Sequence, residues 1–216
     1  PLWAALVSAS ESDQFDLSVI EVASGGGSSL SEAVQQKYYD LTGKYISQAY
    51  GLSEASSTVA ISPFRGGSIS ESVGIPLPDT DLKIIDPNDE TRELKQGDIG
   101  EIVFKGPQMM LGYWKNDDLT AKTIRNGWLF TSDLGYKDTE GRLYIVDRKD
   151  DMIISRGYNI YPSEIEAVLS SHPEIEEVAV AGTTDSLRGE AITAFIVLKK
   201  DAKTDRRDLV LFCQNH

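Results

Sequence analysis

The first part of the chain alternates between short apolar runs and one polar-rich stretch. Residues 16–23 (DLSVIEVA) form a short apolar run that favours a buried strand, although its length alone does not exclude a helix. Residues 44–50 (KYISQAY) are predicted to form another strand. The run 24–30 between them is rich in glycine and serine, and a helix is predicted over residues 31–41. The order strand, glycine loop, helix, strand predicts an α/β layer with a parallel sheet over residues 1–64.

Residues 65–149 have a different pattern, in which short alternating runs are separated by turn residues. Three of these runs are residues 81–85, 101–105 and 142–146. Period-two alternation bounded by Asp, Asn, Pro and Gly indicates β-hairpins, so this part is predicted to be β-rich and barrel-like. One helix is predicted to interrupt it, over residues 117–125, with Asn126-Gly127 at its end.

The remaining residues, 150–216, are predicted to form the start of a small, truncated α+β domain. Residues 152–155 are apolar, and the runs at residues 178–181 and 192–198 are predicted to form strands. Helices are predicted to begin near residues 161 and 205. The domain limit is placed between residues 149 and 150, in the charged run 147–151, although such a run is more often only a solvated loop.

Helix ends are indicated by polar residues at fixed spacing. Ser29 and Glu32 are spaced as a capping box before the first long helix, and Gly43 is suited to its end. Ser163 and Glu166 have the same spacing at the helix predicted to begin near residue 161. Both pairs therefore predict helix starts at which side chains satisfy free backbone N–H groups.

Composition excludes several classes of function. The net charge of −13 over 216 residues argues against binding to nucleic acid or anionic membranes, because phosphate backbones need clustered Lys and Arg. No apolar run approaches the ~20 residues of a transmembrane helix. A single cysteine, Cys213, excludes a disulfide framework and indicates a reducing, cytoplasmic compartment. Two histidines leave little room for a metal cluster.

The glycine-rich run 24–30 and the stretch 48–54 carry the first candidate chemistry. Consecutive glycines let a backbone approach a planar or anionic ligand, but a plain structural loop is equally consistent with them. Tyr50 beside Gly51 could lie against a purine, Ser53 could bind a phosphate, and Glu54 could hold Mg²⁺. A strand end followed by a helix cap explains the same residues.

A second set of candidates includes the segment 128–134 (WLFTSDL), which begins with an apolar run. Asp133 comes just after that run, where its carboxylate could accept hydrogen bonds from a ribose diol or serve as a turn residue. Arg148 offers a planar fork of donors, although an isolated arginine is usually a surface charge. Trp128 is interpreted as a core residue. Each of these signals is ambiguous by itself.

Four segments, taken in order, resemble the adenylate-forming superfamily of acyl-CoA synthetases, peptide-synthetase adenylation domains and beetle luciferases. The segments are SGGGSSL (24–30), QAYGLSEAS (48–56), GEIVFKGPQMMLGYW (100–114) and LFTSDLGYKDTEGRLYIVDRKDDMIISRGYNIYPSEIEAVL (129–169). The resemblance implies two half-reactions. A carboxylate and ATP give an acyl-adenylate and pyrophosphate, and a thiol then displaces AMP.

The resemblance also implies roles for matching positions. Those for ATP or AMP are Ser28, Gln48, Ala49, Tyr50, Gly51, Asp133 and Arg148, and those for coenzyme A are Ser155, Arg156, Gly157 and Tyr158. Ser53 and Glu54 are the implied catalytic residues, with Glu54 as the Mg²⁺ ligand. Asp150 matches a hinge about which the C-terminal domain would rotate between the half-reactions.

The run 151–169 resembles fatty-acyl and aryl-CoA ligases more than peptide-synthetase domains. The alternatives are an amino-acid adenylation domain and a non-catalytic nucleotide-binding module. Two family elements would lie outside the chain, a phosphate loop before Pro1 and a catalytic lysine beyond His216. The expectation is therefore a fragment of an acid–CoA ligase that is inactive alone. A fatty acid is the expected class of substrate, and its identity and chain length stay open.

Overall fold

The chain forms two compact units. The computed structural model describes residues 2–11, 16–27, 30–64, 71–155, 157–185 and 189–215. Contacts divide the chain into Pro1–Ile145 and Val146–His216, just before the charged run 147–151. Among the described residues, two hydrophobic clusters belong to the first unit and one to the second.

The first unit contains the α/β and β-rich parts. Its helices are α1 (Leu2–Glu11), α2 (Glu32–Thr42) and α3 (Asp117–Thr123), and 3-10 turns form at Leu17–Val19 and Ser53–Ala55. Its strands are β1 (Ala23–Gly26), β2 (Ile46–Tyr50), β3 (Ala60–Ile61), β4 (Ser72–Pro76), β5 (Asp81–Asp86), β6 (Asp89–Glu93), β7 (Gly100–Lys105), β8 (Ile124–Arg125), β9 (Trp128–Lys137) and β10 (Leu143–Arg148), whose end lies in the second unit.

These strands, within the described residues, form one sheet in the order β1-β2-β3-β4-β10-β9-β7-β5-β6, with β8 paired to β9. β1 and β2 are parallel, as predicted, while β2–β3, β3–β4, β5–β7 and β7–β9 are antiparallel. The described strands do not close into a barrel, because β1 and β6 remain the two ends of the order. The predicted combination of α/β and β-rich parts is confirmed.

The predicted strand over residues 16–23 is wrong in its position. Asp16 accepts a hydrogen bond from the Ser18 amide at 2.9 Å and caps the 3-10 turn Leu17–Val19. This local bond competes with the pairing of an extended backbone. The strand β1 therefore begins only at Ala23 and includes the first two glycines of the glycine-rich run.

α2 forms where a helix was predicted, but its cap differs. The N-cap is Ser31, whose hydroxyl accepts from the Val34 amide, rather than Ser29, which lies outside the described residues. Gly43 ends the helix as predicted, with φ +66° and its N–H on Tyr39 O at 2.7 Å.

The helix predicted over residues 117–125 is shorter in the structure. α3 ends at Thr123, and the next two residues form the strand β8, which pairs with the start of β9. Asn126 and Gly127 both have positive φ, +52° and +79°. They form a tight hairpin turn between two strands rather than a helix end, since such turns favour Asn-Gly.

The second unit is the predicted α+β domain. It consists of α4 (Pro162–Ser170) and α5 (Arg206–Asn215) with the strands β11 (Ile153–Ser155), β12 (Tyr158–Ile160), β13 (Ile175–Asp185) and β14 (Gly189–Leu198). The strands pair antiparallel in the order β12-β11-β14-β13. Its core is formed by Ile153, Leu169, Ile175, Val180 and Leu209.

The capping box predicted at α4 is not formed. The Ser163 hydroxyl donates to Val146 O at 2.9 Å, and the Glu166 carboxylate accepts from the Val180 amide at 2.7 Å. The Ser163 amide instead donates to the Asp147 carboxylate at 3.1 Å. A side chain of β10 thus accepts from a free N–H at the helix start, a contact that residue spacing within the helix does not reveal. Among the described residues, no helix is both long and apolar enough to cross a membrane.

Candidate functional site

The glycines of β1 lie against the strand that precedes the main candidate residues. Gly25 is paired with Gln48 and Gly26 with Ala49 across the parallel pair β1–β2. A Cβ on Gly26 would lie 2.8 Å from Ala49 O, so the close approach of the two backbones requires glycine there. Ser28, the candidate that follows, lies outside the described residues.

A tight loop after β2 exposes Ser53 and leaves Glu54 half-buried. The loop folds back at once, because the Val59 amide donates to Tyr50 O at 2.8 Å. A Cβ on Gly51 would lie only 1.4 Å from Ser57 O. Gly51 therefore has a steric role in closing the loop, beside the ligand role that the resemblance implies.

Tyr50 and Asp133, 83 residues apart, are joined by a hydrogen bond. The Tyr50 hydroxyl donates to Asp133 Oδ2 at 2.6 Å. The Tyr50 ring is only 8% exposed and belongs to the core cluster, so its hydroxyl is the part directed toward Asp133. Three strands, β3, β4 and β10, lie between β2 and β9 in the sheet order. The hydrogen bond therefore joins residues of two strands that are not neighbours in the sheet.

Asp133 lies within β9, not after the strand as predicted. The register of β7 against β9 shifts at this point, since Glu101 pairs with Leu134 while Val103 pairs with Phe130. The shift marks a β-bulge, in which Ser132 has φ +60°. The strand continues to Lys137, so the bulge, and not a strand end, determines where the Asp133 carboxylate points.

Two buried polar residues support this bulge. The Thr131 hydroxyl donates to Ile102 O at 2.8 Å and accepts from the Asp133 amide at 3.0 Å. Glu101, only 2% exposed, accepts from the Ser132 amide at 3.3 Å. Neither Thr131 nor Glu101 was a candidate from the sequence, because a polar residue within a strand run gives no sign of a bulge beside it.

Glu54 is held by a residue that sequence reasoning missed. The Tyr113 hydroxyl donates to Glu54 Oε1 at 2.6 Å, and the Met110 amide donates to Glu54 O at 2.8 Å. Burial raises the pKa of Tyr113, and the hydrogen bond to Glu54 raises it further, so the phenol stays protonated and donates at neutral pH. Its only sequence signal was membership of the matching segment 100–114.

The surroundings of Glu54 fit a magnesium ion that is mostly held by a nucleotide. Among the described residues, no group of three or more His, Cys, Asp or Glu side chains is arranged to hold a metal ion. Magnesium, however, is commonly bound by one or two carboxylates, several waters and substrate phosphates. A single half-buried carboxylate next to the exposed Ser53 suits that arrangement.

Arg148 and Asp150 belong to the second unit. Arg148 is exposed at the end of β10, and its carbonyl accepts from the amides of Asp151 and Met152, both at 3.1 Å. Asp150 is exposed in the turn that these bonds close. Hinges in proteins are commonly a few residues at the end of a strand or helix, and this turn at the end of β10 has that position.

The residues implied for coenzyme A surround a β-hairpin turn. Ser155 pairs with Tyr158 across β11–β12, and Gly157 next to Tyr158 has φ +82°. Arg156 lies outside the described residues. The buried Ser155 hydroxyl donates to Glu190 O at 2.6 Å and anchors the hairpin. Tyr158 is 73% exposed, so its ring is available for contact with a ligand.

Family comparison accounts for both units. Residues 1–114 match the AMP-binding enzyme family, and residues 164–216 match the AMP-binding enzyme C-terminal domain. The first match alone covers more than half of the 216 residues. The chain belongs to the AMP-binding enzyme family. The resemblance to adenylate-forming enzymes drawn from the four ordered segments is thereby confirmed.

Similar curated members of the family include two long-chain-fatty-acid–CoA ligases. The protein of Escherichia coli O6:H1 is 42% identical over 213 residues, which are 99% of this chain and 37% of that protein. The Bacillus subtilis strain 168 protein is 46% identical over 206 residues, 95% of this chain and 36% of that protein. The chain thus spans little more than a third of the length of these curated relatives.

A solved AMP-binding enzyme has the same fold. The o-succinylbenzoate–CoA synthetase MenE from Bacillus subtilis, determined in complex with the acyl-adenylate intermediate OSB-AMP, matches with a TM-score of 0.81 and 32% identity. The match covers 96% of this chain and 42% of that protein. Relatives named for a fatty acid and for an aromatic acid therefore both resemble this chain.

Proposed function

We propose that the protein carrying this chain is an ATP-dependent acid–CoA ligase whose acid is a long-chain fatty acid. In the first half-reaction, a carboxylate oxygen attacks the α-phosphorus of ATP, giving acyl-adenylate and releasing pyrophosphate. In the second, the thiol of coenzyme A attacks the acyl carbon and AMP leaves. The names of the two curated relatives support the fatty acid. The observation that carries the nucleotide assignment is the Tyr50–Asp133 hydrogen bond.

That bond supports a ribose site at Asp133. The Asp133 carboxylate accepts a hydrogen bond from a phenol, and its backbone lies in a β-bulge. It is therefore oriented before a ligand binds. Such a carboxylate can accept two hydrogen bonds from a ribose diol. On this proposal, the backbone from Gln48 through Ala49 to Gly51 lines the adenine pocket, together with the segment containing Ser28, and Tyr50 orients Asp133.

Ser53 and Glu54 are proposed to act on the phosphates. The exposed Ser53 hydroxyl donates to a phosphate oxygen, and the Glu54 carboxylate helps to hold Mg²⁺. Magnesium, when bound, neutralises charge on the pyrophosphate leaving group. The loop that follows Gly51 keeps both residues on one tight turn, so they are positioned together.

The roles proposed in the second unit rest on the resemblance. Arg148 would donate to the ribose, and Asp150 would be the hinge between the two half-reactions. The segment Ser155-Arg156-Gly157-Tyr158 would contact coenzyme A. The exposed Tyr158 ring supports that contact, while the Ser155 hydroxyl, already bonded to Glu190 O, supports a role in shaping the turn.

Carboxylate-dependent exchange of pyrophosphate into ATP tests the proposed function. The complete gene product that carries this chain should catalyse exchange with long-chain fatty acids and form the corresponding acyl-CoA. Absence of exchange across a panel of fatty, aromatic and amino acids contradicts the ligase assignment, and exchange with aromatic acids alone contradicts the fatty acid as substrate.

The hinge role of Asp150 is tested separately. Asp150→Pro should lower thioester formation far more than pyrophosphate exchange, whereas equal loss of both activities would place the hinge elsewhere.

A further inference from the structure

Two carboxylates of the proposed site are each held by a tyrosine hydroxyl from a distant segment. Tyr50 donates to Asp133 and Tyr113 donates to Glu54, both at 2.6 Å. The first bond belongs to the ribose site described above. The second joins residues 59 positions apart, and the proposed function assigns it no role. The effect of the Tyr113 hydroxyl on the proposed metal-binding carboxylate of Glu54 is therefore not explained by the ribose site.

The segment that carries Tyr113 is fixed on several sides. The Tyr113 amide donates to the Thr120 hydroxyl at 2.9 Å, and the Met110 amide donates to Glu54 O at 2.8 Å. Gly112, with φ +152°, leaves no room for a Cβ, which would lie 2.8 Å from the Thr120 side chain. The phenol and the Glu54 backbone are thus held by the same short loop, so the hydroxyl is fixed relative to the carboxylate.

The hydrogen bond makes the two carboxylate oxygens of Glu54 unequal. Oε1 accepts from the phenol, whereas Oε2 has no hydrogen-bond partner among the residues that the structure describes. An oxygen that accepts a short hydrogen bond has less electron density and less open space to offer a cation. Glu54 therefore presents unequal oxygens to a ligand, and a cation that approaches Oε1 must compete with the phenol.

We propose that Tyr113 limits Glu54 to one metal-binding oxygen and thereby favours Mg²⁺ over Ca²⁺ at the nucleotide. The proposal rests on the metal role given to Glu54 under the proposed function. Magnesium requires a near-octahedral shell of about six oxygens at roughly 2.1 Å and is served well by single carboxylate oxygens. Calcium accepts about six to eight oxygens and often takes both oxygens of one carboxylate. Blocking Oε1 removes that second contact.

Binding of ATP in the absence of acid, measured by isothermal titration calorimetry with saturating Mg²⁺ or Ca²⁺, tests the proposal. The complete gene product and its Tyr113→Phe variant would be compared. Phenylalanine keeps the ring and frees Oε1, so the preference for Mg²⁺, expressed as the ratio of the two dissociation constants, should fall roughly tenfold. Most of that change should come from tighter binding with Ca²⁺. An unchanged ratio overturns the proposal.

Tyr50→Phe is the matched control, because it breaks the other phenol–carboxylate bond. It should weaken ATP binding with both metals alike and leave the ratio unchanged. A ratio that shifts equally in both variants would mean that loss of either phenol loosens the site in general, and this also overturns the proposal.

Glu54→Gln distinguishes failure of the proposal from failure of the metal role assigned to Glu54. If metal dependence is unaltered in Glu54→Gln, the metal role of Glu54 fails; if it is altered while Tyr113→Phe keeps the ratio, only the role of Tyr113 fails.

Discussion

Replacing Tyr50 by phenylalanine removes one hydroxyl and leaves the buried ring in place. The ring is 8% exposed within the core cluster, so the variant creates no large cavity. Tyr50→Ala would remove the ring as well and would cost about 3–5 kcal/mol of folding stability, which would obscure any effect on binding. Phenylalanine therefore isolates the contribution of the 2.6 Å bond to Asp133.

The size of the expected effect follows from that bond. A hydrogen bond to an ionised group contributes about 1.5–3 kcal/mol, and the bond is only part-buried, so the lower end of this range applies. Since roughly 1.4 kcal/mol corresponds to a tenfold change in affinity, ATP should bind about tenfold more weakly. The loss should be smaller for 3′-deoxy-ATP, because that nucleotide cannot use a carboxylate oriented toward both ribose hydroxyls.

The assay is titration of ATP and of 3′-deoxy-ATP into the complete gene product and the variant. Tyr144→Phe is the control, since it removes a tyrosine hydrogen bond to a carboxylate, Asp138 at 3.2 Å, that involves none of the candidate residues. That control should bind both nucleotides like the unaltered protein. Equal losses for the two nucleotides in Tyr50→Phe would refute the idea that Tyr50 acts through Asp133 on the ribose.

Two further predictions concern stability. Gly51→Ala should destabilise the first unit by several kcal/mol, on the order of a severe overpacking change, because the new Cβ would lie 1.4 Å from Ser57 O. A melting temperature equal to that of the unaltered protein would contradict this prediction. Asp138→Asn tests an acid-sensitive turn. Burial raises the pKa of Asp138, but donors from Arg142 and Glu140 outweigh burial, so the pKa lies below its ordinary value near 3.8. The charged form stabilises the fold above that value, and this contribution is lost as the pH falls through the lowered pKa. Urea unfolding should therefore show the variant less stable at pH 7, with the difference shrinking as the pH falls below 3.8; a difference that stays constant at acidic pH would contradict the linkage.

Local sequence patterns were sufficient to predict strands of the β-rich part and to identify the family. The predicted strand over residues 81–85 corresponds to β5, and that over residues 101–105 to β7, because alternation and turn residues act over a few positions. The order of four segments identified the adenylate-forming enzymes without any knowledge of contacts. The errors fell at element ends, such as Ser31 in place of Ser29 as the cap of α2, where side chains choose among nearby backbone groups.

The sequence by itself thus determined the class of each part of the chain, several of its helices and strands, and the family to which the chain belongs. Only the tertiary structure decided that Tyr50 reaches Asp133 and that Tyr113 reaches Glu54. Both bonds depend on strand register, on the bulge in β9 and on the return of a loop to β2, and these features arise from packing between segments far apart in the chain. Periodicity within a segment carries no information about that packing, so the partners of the two carboxylates could not be read from it.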